Sequence, residues 1–259
     1  MKNIVVIKCG GSTIETLSDD FFQSVGELRA SGYAPVLVHG GGPAIKRMLS
    51  LLKVKSEFVN GLRKTDEQVM AVVEMVLSGT VNKMLVRKLG QAGLEAVGLS
   101  GSDSRLIEAV PLDEEKLGLV GEVANVNTKL IDDLLERGTV PVIAPVGIGQ
   151  SGRIYNINAD TAAGAVGTAL KAEKLLFVTD VPGILKKDQL LKNVTEAEVR
   201  GLIRDGTISG GMIPKVEAAL KSLSGELKEV MITAADAKIV KNGEMAGTTI
   251  QKNEKVTVK

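Results

Sequence analysis

The chain has no tryptophan, two tyrosines and four phenylalanines. So few aromatic rings leave almost no platform for stacked nucleobases, which argues against a single-strand nucleic-acid binder, and small aliphatic residues must build the core. Cys9 and His39 are the sole cysteine and histidine. One thiol closes no intrachain disulfide, and one of each residue falls short of the usual nitrogen and sulfur ligand set of zinc. Charge of one sign is lacking too: 32 Lys and Arg face 31 Asp and Glu, so no global field draws the chain to nucleic acid or to an anionic membrane surface. Met1-Lys2-Asn3 precedes only four apolar residues, too few for a signal-peptide core, and no apolar run approaches the roughly 20 residues of a spanning helix. A cytoplasmic protein is expected.

What the sequence does hold is an alternation of β-branched runs and amphipathic stretches, the pattern of an α/β fold with an open, mainly parallel central sheet covered by helices on both faces, a three-layer αβα sandwich. Strands are expected at Ile4–Ile7, Ala34–Val38, Ala96–Leu99, Val140–Val146, Leu175–Val178 and Val230–Thr233. Shorter, more exposed strands are expected between Leu106 and Val126. Ser18 can cap a helix closed by Gly32, and Pro43 suits the first turn of a helix to about Leu52. Thr65 with Gln68, and Thr195 with Glu198, read as capping boxes, the first opening a helix to about Leu77. Phe58–Lys64 reads as a polar loop, and further helices are expected over Thr128–Arg137, over Ala159–Leu170 and after Pro214. With 259 residues and no Ser/Pro-rich linker, one compact unit is expected. Lys171–Lys174 is the best boundary between two lobes that share one sheet.

Ligands of parallel α/β sheets gather at the carboxyl ends of strands. Three such ends carry glycine: Gly10-Gly11, Gly40-Gly41-Gly42, and Gly98 with Gly101. Glycines let backbone amides crowd around an anion, and a following helix N-terminus adds partial positive charge, so the first two loops read as phosphate-binding. The Gly-Lys pair of a Walker A loop is absent. A G-x-G-x-x-G at Gly147, Gly149 and Gly152 precedes an extended stretch, Arg153–Ile157, rather than a helix, and reads as a plain turn. Neither His-Arg-Asp nor Asp-Phe-Gly occurs, which excludes the protein-kinase set.

Lys8 ends a strand just before the first glycine loop; its ammonium either enters the loop's space or merely snorkels to solvent. Lys215 follows Gly210-Gly211-Met212-Ile213-Pro214 and sits in a first helical turn, where a cation opposes the helix dipole. That placement hints at function, although surface lysines occur there too. Asp160, near a helix start, reads from position alone as a capping residue. His39 is expected to pack and hydrogen-bond beneath its glycine loop, and Cys9 to fill space in the core.

Six ordered motifs carry a resemblance over essentially the whole chain: Lys8-Cys9-Gly10-Gly11-Ser12, His39-Gly40-Gly41-Gly42-Pro43, Asn60-Gly61-Leu62-Arg63-Lys64-Thr65, Asn156-Ile157-Asn158-Ala159-Asp160, Thr179-Asp180-Val181-Pro182-Gly183 and Gly211-Met212-Ile213-Pro214-Lys215. Together they resemble the amino acid kinase family, and within it the branch acting on N-acetyl-L-glutamate. The resemblance implies ATP-dependent phosphorylation of the side-chain carboxylate, giving the 5-phosphate, a step of arginine synthesis. It implies that Lys8 and Lys215 stabilise the phosphoryl group in flight, with Asp160 holding both ammoniums. Gly10 and Gly11 would give amides to phosphoryl oxygens, and Gly41 and Gly42 to these and the substrate. Arg63 and Asn156 would bind the amino-acid part, Arg63 gripping a carboxylate. Asp180, Val181, Pro182, Gly183, Ile184 and Leu185, with Thr207, Ile208 and Ser209, would hold the nucleotide. The partners implied are N-acetyl-L-glutamate and ATP with Mg²⁺, the metal held mainly through the nucleotide phosphates and without assigned protein ligands. Residues 1–172 would form the substrate-binding and dimerisation lobe and 173–259 the nucleotide lobe. Arginine-sensitive members carry an N-terminal helix that interlaces dimers into hexamers. This chain begins about three residues before its first strand, so a homodimer not inhibited by arginine at that site is expected.

The chemistry of the residues agrees with such a reaction. A glutamate-type carboxylate, with pKa near ~4.3, is ionised at neutral pH and needs no general base. The obstacle is repulsion between that carboxylate and the ATP phosphates, of order ~4 kcal/mol per close unit-charge pair at an intermediate dielectric. Arg63 suits a carboxylate because its planar fork makes two bonds, a surface salt bridge being the alternative. Two rivals remain open here. A kinase for the one-carbon-longer aminoadipate skeleton shares the loops, but its relatives carry Ser-Arg where this chain has Leu62-Arg63. A non-catalytic amino-acid sensor on this fold would be expected to lose Lys8, Asp160 or Lys215.

Overall fold

The computed structural model describes residues 3–223, 227–236, 238–241 and 244–253. In chain order it begins with β1 (Asn3–Cys9), α1 (Asp19–Ala30), β2 (Tyr33–His39), α2 (Gly42–Leu51), β3 (Phe58–Val59), β4 (Leu62–Arg63), α3 (Glu67–Glu74), α4 (Asn82–Gln91) and β5 (Ala96–Ser100). Then come β6 (Ile107–Pro111), α5 (Glu114–Leu117), β7 (Val120–Val126), α6 (Lys129–Glu136), β8 (Val140–Ala144), β9 (Val146–Ile148), β10 (Ile154–Ile157) and α7 (Ala159–Ala169). The remainder comprises β11 (Lys174–Thr179), β12 (Leu185–Lys186), β13 (Gln189–Leu190), β14 (Asn193–Thr195), α8 (Glu196–Arg204) and α9 (Met212–Ser222). Last are β15 (Glu229–Ala234), β16 (Val240–Lys241), β17 (Glu244–Met245) and β18 (Thr248–Gln251).

Eight strands form the main sheet, in the order β14-β18-β15-β11-β1-β2-β8-β5. Val5, Val6 and Ile7 are fully buried, and since successive side chains of a strand point to opposite faces, both faces of the sheet at β1 are covered. β1 runs parallel to β2 and to β11. The chain goes from β1 to β2 on one side and returns later to β11 on the other, so the order reverses at β1, where such sheets open a crevice. β18 runs against β15, and β14 follows β18. The expected α/β architecture with a mainly parallel sheet is the one found.

Several local expectations need correcting. Thr65 does not open a helix: its N–H bonds Leu117 O, its hydroxyl donates to Arg63 O at 2.7 Å, and the chain stays extended through it. Asp66 is the N-cap instead, accepting from Val69 N at 2.8 Å. Nor does that helix stop near Leu77. It passes through a π-helical segment, Met75–Val81, and continues as α4. The wider turns carry Ser78-Gly79-Thr80, poor α-helix formers. The resulting helix, Glu67–Gln91, has the length and mean hydropathy of a spanning helix, but Glu74, Asn82 and Lys83 interrupt its apolar residues and half of its most apolar 18-residue window is buried inside the protein, as in a core helix. The loop Phe58–Lys64 contains the hairpin β3–β4, turned by Asn60 and Gly61 at φ 50° and 79°, the conformation that an Asn-Gly pair favours. The strand expected over Val140–Val146 breaks at Pro145, which has no N–H for a ladder. Beyond it β9 leaves the sheet to close a small barrel, β10-β7-β6-β9. Gly147, Gly149 and Gly152 belong to the β9–β10 hairpin, with Gly152 N bonding Gly149 O, so the plain-turn reading is the correct one. The caps at Ser18 and at Thr195 with Glu198 form as expected.

Candidate active site

β1 delivers Lys8 to the crevice and β2 delivers His39, one residue before the second glycine loop. The two loops interlock. A Cβ on Gly11 would stand 2.7 Å from Gly41 N and 2.8 Å from Gly42 N, one on Gly40 would stand 3.0 Å from Gly11 N, and one on Gly41 would stand 2.6 Å from Leu77 Cδ2. Only glycine permits this approach, and it packs several backbone amides side by side. α2 starts directly at Gly42 with Pro43 in its first turn and no side-chain cap, so its leading N–H groups stay free for a ligand.

These loops border a cleft of about 850 Å³ that also includes Lys8, Ser12, Arg63, Asn156, Asn158 and Asp160. Lys8 Nζ lies 2.7 Å from Asp160 Oδ1; the contact is an ion pair without the alignment of a directed hydrogen bond. The Lys8 side chain is only 12% exposed, and its ammonium also sits 5.7 Å from the Phe177 ring centroid, within cation–π range. The snorkelling alternative therefore fails. Asp160 is not the cap of α7. Asn158 takes that part, its Oδ1 accepting from Asp160 N at 2.9 Å and Thr161 N at 3.2 Å, which leaves the Asp160 carboxylate free to face Lys8.

Arg63, which also lines this cleft, is buried. Its guanidinium lies over the Phe58 ring at 4.6 Å, donates to Ser56 Oγ, and reaches Gly42 O at 3.3 Å. Burial lowers its pKa from the usual value, as a desolvated cation with no carboxylate partner would show. Asn156 Nδ2 donates to Thr65 Oγ1 at 3.1 Å, and Thr65 in turn donates to Arg63 O, so one short chain of bonds ties both residues to the hairpin.

Lys215 has a different partner from the one expected. It lies in α9 and its ammonium pairs with Asp180, directly beyond β11, rather than with Asp160. The hydrogen bond from Lys215 holds the Asp180 carboxyl below the ordinary range. This pair stands one strand over from Lys8, since Lys8 and Phe177 are register partners on β1 and β11. Val181 to Leu185 follow in a tight turn: Val181 N bonds Thr179 Oγ1 at 3.2 Å, and Ile184 N bonds Thr248 Oγ1 at 2.8 Å. A Cβ on Gly183 would stand 2.4 Å from that same hydroxyl. Leu185 is exposed and begins β12, while Pro182 is exposed in the turn. Before α9, Thr207 N donates to Asp205 Oδ1 at 2.9 Å, Ile208 is buried, and Ser209 O accepts from Met212 N. Of the expected site residues, the cleft gathers Lys8, Gly11, Gly41, Gly42, Arg63, Asn156 and Asp160. Gly10 adjoins it, a Cβ there standing 3.6 Å from Lys8 Nζ. The 180–185 turn, the 207–209 loop and Lys215 are not part of its lining.

His39 and Cys9 occupy the buried floor. Burial drives the His39 pKa down to about 4 and the Cys9 thiol up to about 12, so both stay neutral at pH 7. Sequence reasoning missed Asn158 as cap, Thr65 as bridge, Ser56 and Phe58 as supports of Arg63, and Asn82 beneath His39. Asn158 carried a signal, an Asn just ahead of a helix; the others meet only in three dimensions.

Known proteins resemble this chain in sequence and fold. The family model described as amino acid kinase family matches residues 3–234. The acetylglutamate kinase of Geobacillus kaustophilus is 56% identical over 252 residues, covering 97% of this chain and 98% of its own. A solved structure of smu.665 from Streptococcus mutans UA159 superposes with a TM-score of 0.83 at 36% identity, covering 97% of this chain and 99% of that one. Carbamate kinase from Giardia lamblia, at 17% identity and a TM-score of 0.67, shares the fold. With its interlocked glycine loops, its Lys8–Asp160 pair and this extent of similarity, the chain belongs to the amino acid kinase family.

Proposed function

We propose that the protein transfers the γ-phosphoryl group of ATP to the side-chain carboxylate of N-acetyl-L-glutamate, forming ADP and N-acetyl-L-glutamyl 5-phosphate in arginine biosynthesis. The observation that carries this reading is the cleft itself: it brings together a lysine–aspartate pair, packed glycine amides and a buried arginine that has no carboxylate partner among the described residues. An anionic amino-acid derivative fits between them. Its α-carboxylate would take the Arg63 fork, Asn156 would bind its polar backbone groups, and its side-chain carboxylate would then point at the glycine loops.

The acceptor oxygen arrives already charged, so the residues have no proton to remove. They must offset charge repulsion and hold two anions in line. Lys8 would sit against the transferring phosphoryl oxygens, with Asp160 fixing the direction of its ammonium. Amides of Gly10, Gly11, Gly41 and Gly42 would face the same oxygens, acting where charge builds up in the transition state. Lys215 would work from the nucleotide side, steered by Asp180, with 180–185 and 207–209 cradling the nucleotide. Mg²⁺ would supply further positive charge between the phosphates. The carboxylates here, Asp160 and Asp180, are each engaged with a lysine, and no group of three or more His, Cys, Asp or Glu suited to a metal occurs among the described residues; that donor set fits a metal carried in by the nucleotide. Leu51, Leu52 and Met75 are exposed on the amino-terminal half, apolar surface that a second copy in a homodimer would cover, and light scattering tests this.

The deciding assay follows ADP release with ATP and Mg²⁺ while acetylglutamate, glutamate, aspartate, acetyl-aminoadipate and UMP are offered in parallel. Turnover is expected with acetylglutamate. Preference for another acceptor would overturn the substrate assignment, and no turnover with any would favour a non-catalytic sensor.

A further inference from the structure

His39 is fully buried, yet the phosphoryl-transfer chemistry gives it no proton to move. Its neighbours fix its state. Nδ1 lies 2.9 Å from Gly40 O, and a carbonyl only accepts, so Nδ1 bears the hydrogen. Nε2 faces Asn82 Nδ2 at 3.2 Å, and an amide NH₂ only donates, so Nε2 keeps its lone pair. Asn82 cannot turn over to change this. Its Nδ2 also lies 2.9 Å from Val142 O and 3.2 Å from Leu99 O, and its Oδ1 accepts from Lys83 Nζ at 3.2 Å. A flipped amide would set oxygen against two carbonyls and NH₂ against an ammonium. Gly98 keeps the place open, because a Cβ there would fall 1.8 Å from Asn82 Oδ1.

Asn82 is the first residue of α4, immediately after the π-helical turns, and is itself fully buried. Those turns also set Leu77 and Val81 against Gly41. A peptide unit is planar, with its C=O and the following N–H pointing in opposite directions. Holding Gly40 O therefore aims Gly41 N–H, the amide that crowds Gly11 at the cleft. We propose that Asn82 is a positioning residue for phosphoryl transfer: through the single tautomer it imposes on His39, it pins the Gly40–Gly41 peptide and keeps the Gly41 N–H directed at the transferring group. The proposal rests on the kinase reading of the cleft.

Because His39 is the only histidine, ¹⁵N NMR of the full-length wild-type protein reads its tautomer without ambiguity. A hydrogen on Nδ1 and a bare Nε2 are expected; an Nε2–H tautomer would overturn the proposal whether or not acetylglutamate is the substrate. Kinetics then test the path. Asn82→Leu should lower kcat at least about tenfold, the scale of a misdirected amide donor, with both KM values within about threefold. His39→Asn keeps a donor for Gly40 O while cutting the link to Asn82. In that background Asn82→Leu should cost less than about threefold more, because the coupling is gone. Equal costs in both backgrounds would mean that Asn82 only staples α4 to the carbonyls of Leu99 and Val142, and the proposal would fall. If Asn82→Leu does not fold, the pair His39→Leu and His39→Asn decides: His39→Leu should run at least about tenfold slower, and equal rates would overturn the pin.

Discussion

Lys8 Nζ stands 2.7 Å from Asp160 Oδ1, and that contact exists because Asn158, two residues earlier, has taken over the capping of α7. The carboxylate is thereby released from its local helix and spent on a distant strand. Lys8→Ala should cut kcat by about 10²- to 10³-fold, as loss of one preorganised charge stabiliser does, while acetylglutamate binding stays measurable by calorimetry. Undiminished turnover would remove Lys8 from the reaction.

Arg63 is expected to govern substrate affinity rather than the chemical step. Arg63→Lys keeps the charge but loses the planar fork and the stacking on Phe58. The KM for acetylglutamate should rise at least about tenfold, roughly the 1.5–3 kcal/mol of a charged hydrogen bond, with the KM for ATP nearly unchanged. An unaltered acetylglutamate KM would place the carboxylate elsewhere.

Gly11→Ala would put a methyl group 2.7–2.8 Å from the Gly41 and Gly42 nitrogens, so the two loops must part. Activity should fall at least tenfold, about the cost of a small displacement at a positioned site. The half-buried Gly201, where an added Cβ meets nothing within 4 Å, serves as the control position. Full activity of Gly11→Ala would show that the loops need not touch.

Acid stability should bear the mark of His39. Its folded pKa, about 4, lies below the ordinary 6.5. Between these values the unfolded chain binds the extra proton, so stability is lost as pH falls from 6.5 toward 4, by up to about 3 kcal/mol. His39→Asn should flatten that part of the profile. Denaturant midpoints for both proteins at pH 7, 5.5 and 4.5 measure it, and parallel curves would refute the assignment.

The strands and the glycine loops were legible because buried parallel strands are nearly continuous β-branched runs and because loop glycines cluster at their ends. The barrel strands β6, β7, β9 and β10 were only partly so, since β9 and β10 are short, β6 and β7 mix buried with exposed residues, and Pro145 hides the break between β8 and β9. The long helix was cut short on paper by Ser78-Gly79-Thr80, a local preference that packing against the sheet overrides by widening the turns. Position alone left Lys8 open between a cleft residue and a snorkelling one, and it was the six ordered motifs that singled out Lys8 and Arg63. Their supports did not stand out: Thr65 read as a cap when it is a bridge, and Asp180 read as a nucleotide contact without its tie to Lys215. Those pairings depend on which strand lies beside which, and pattern along a chain carries no such information.

β1 is hydrogen-bonded along its length to β2 on one side and to β11 on the other. The strands on either side of β1 are thus joined through it into one continuous ladder. Lys8 therefore has its backbone held from both sides, by Val38 on β2 and Phe177 on β11, so its ammonium is carried on the most constrained part of the ladder that borders the cleft.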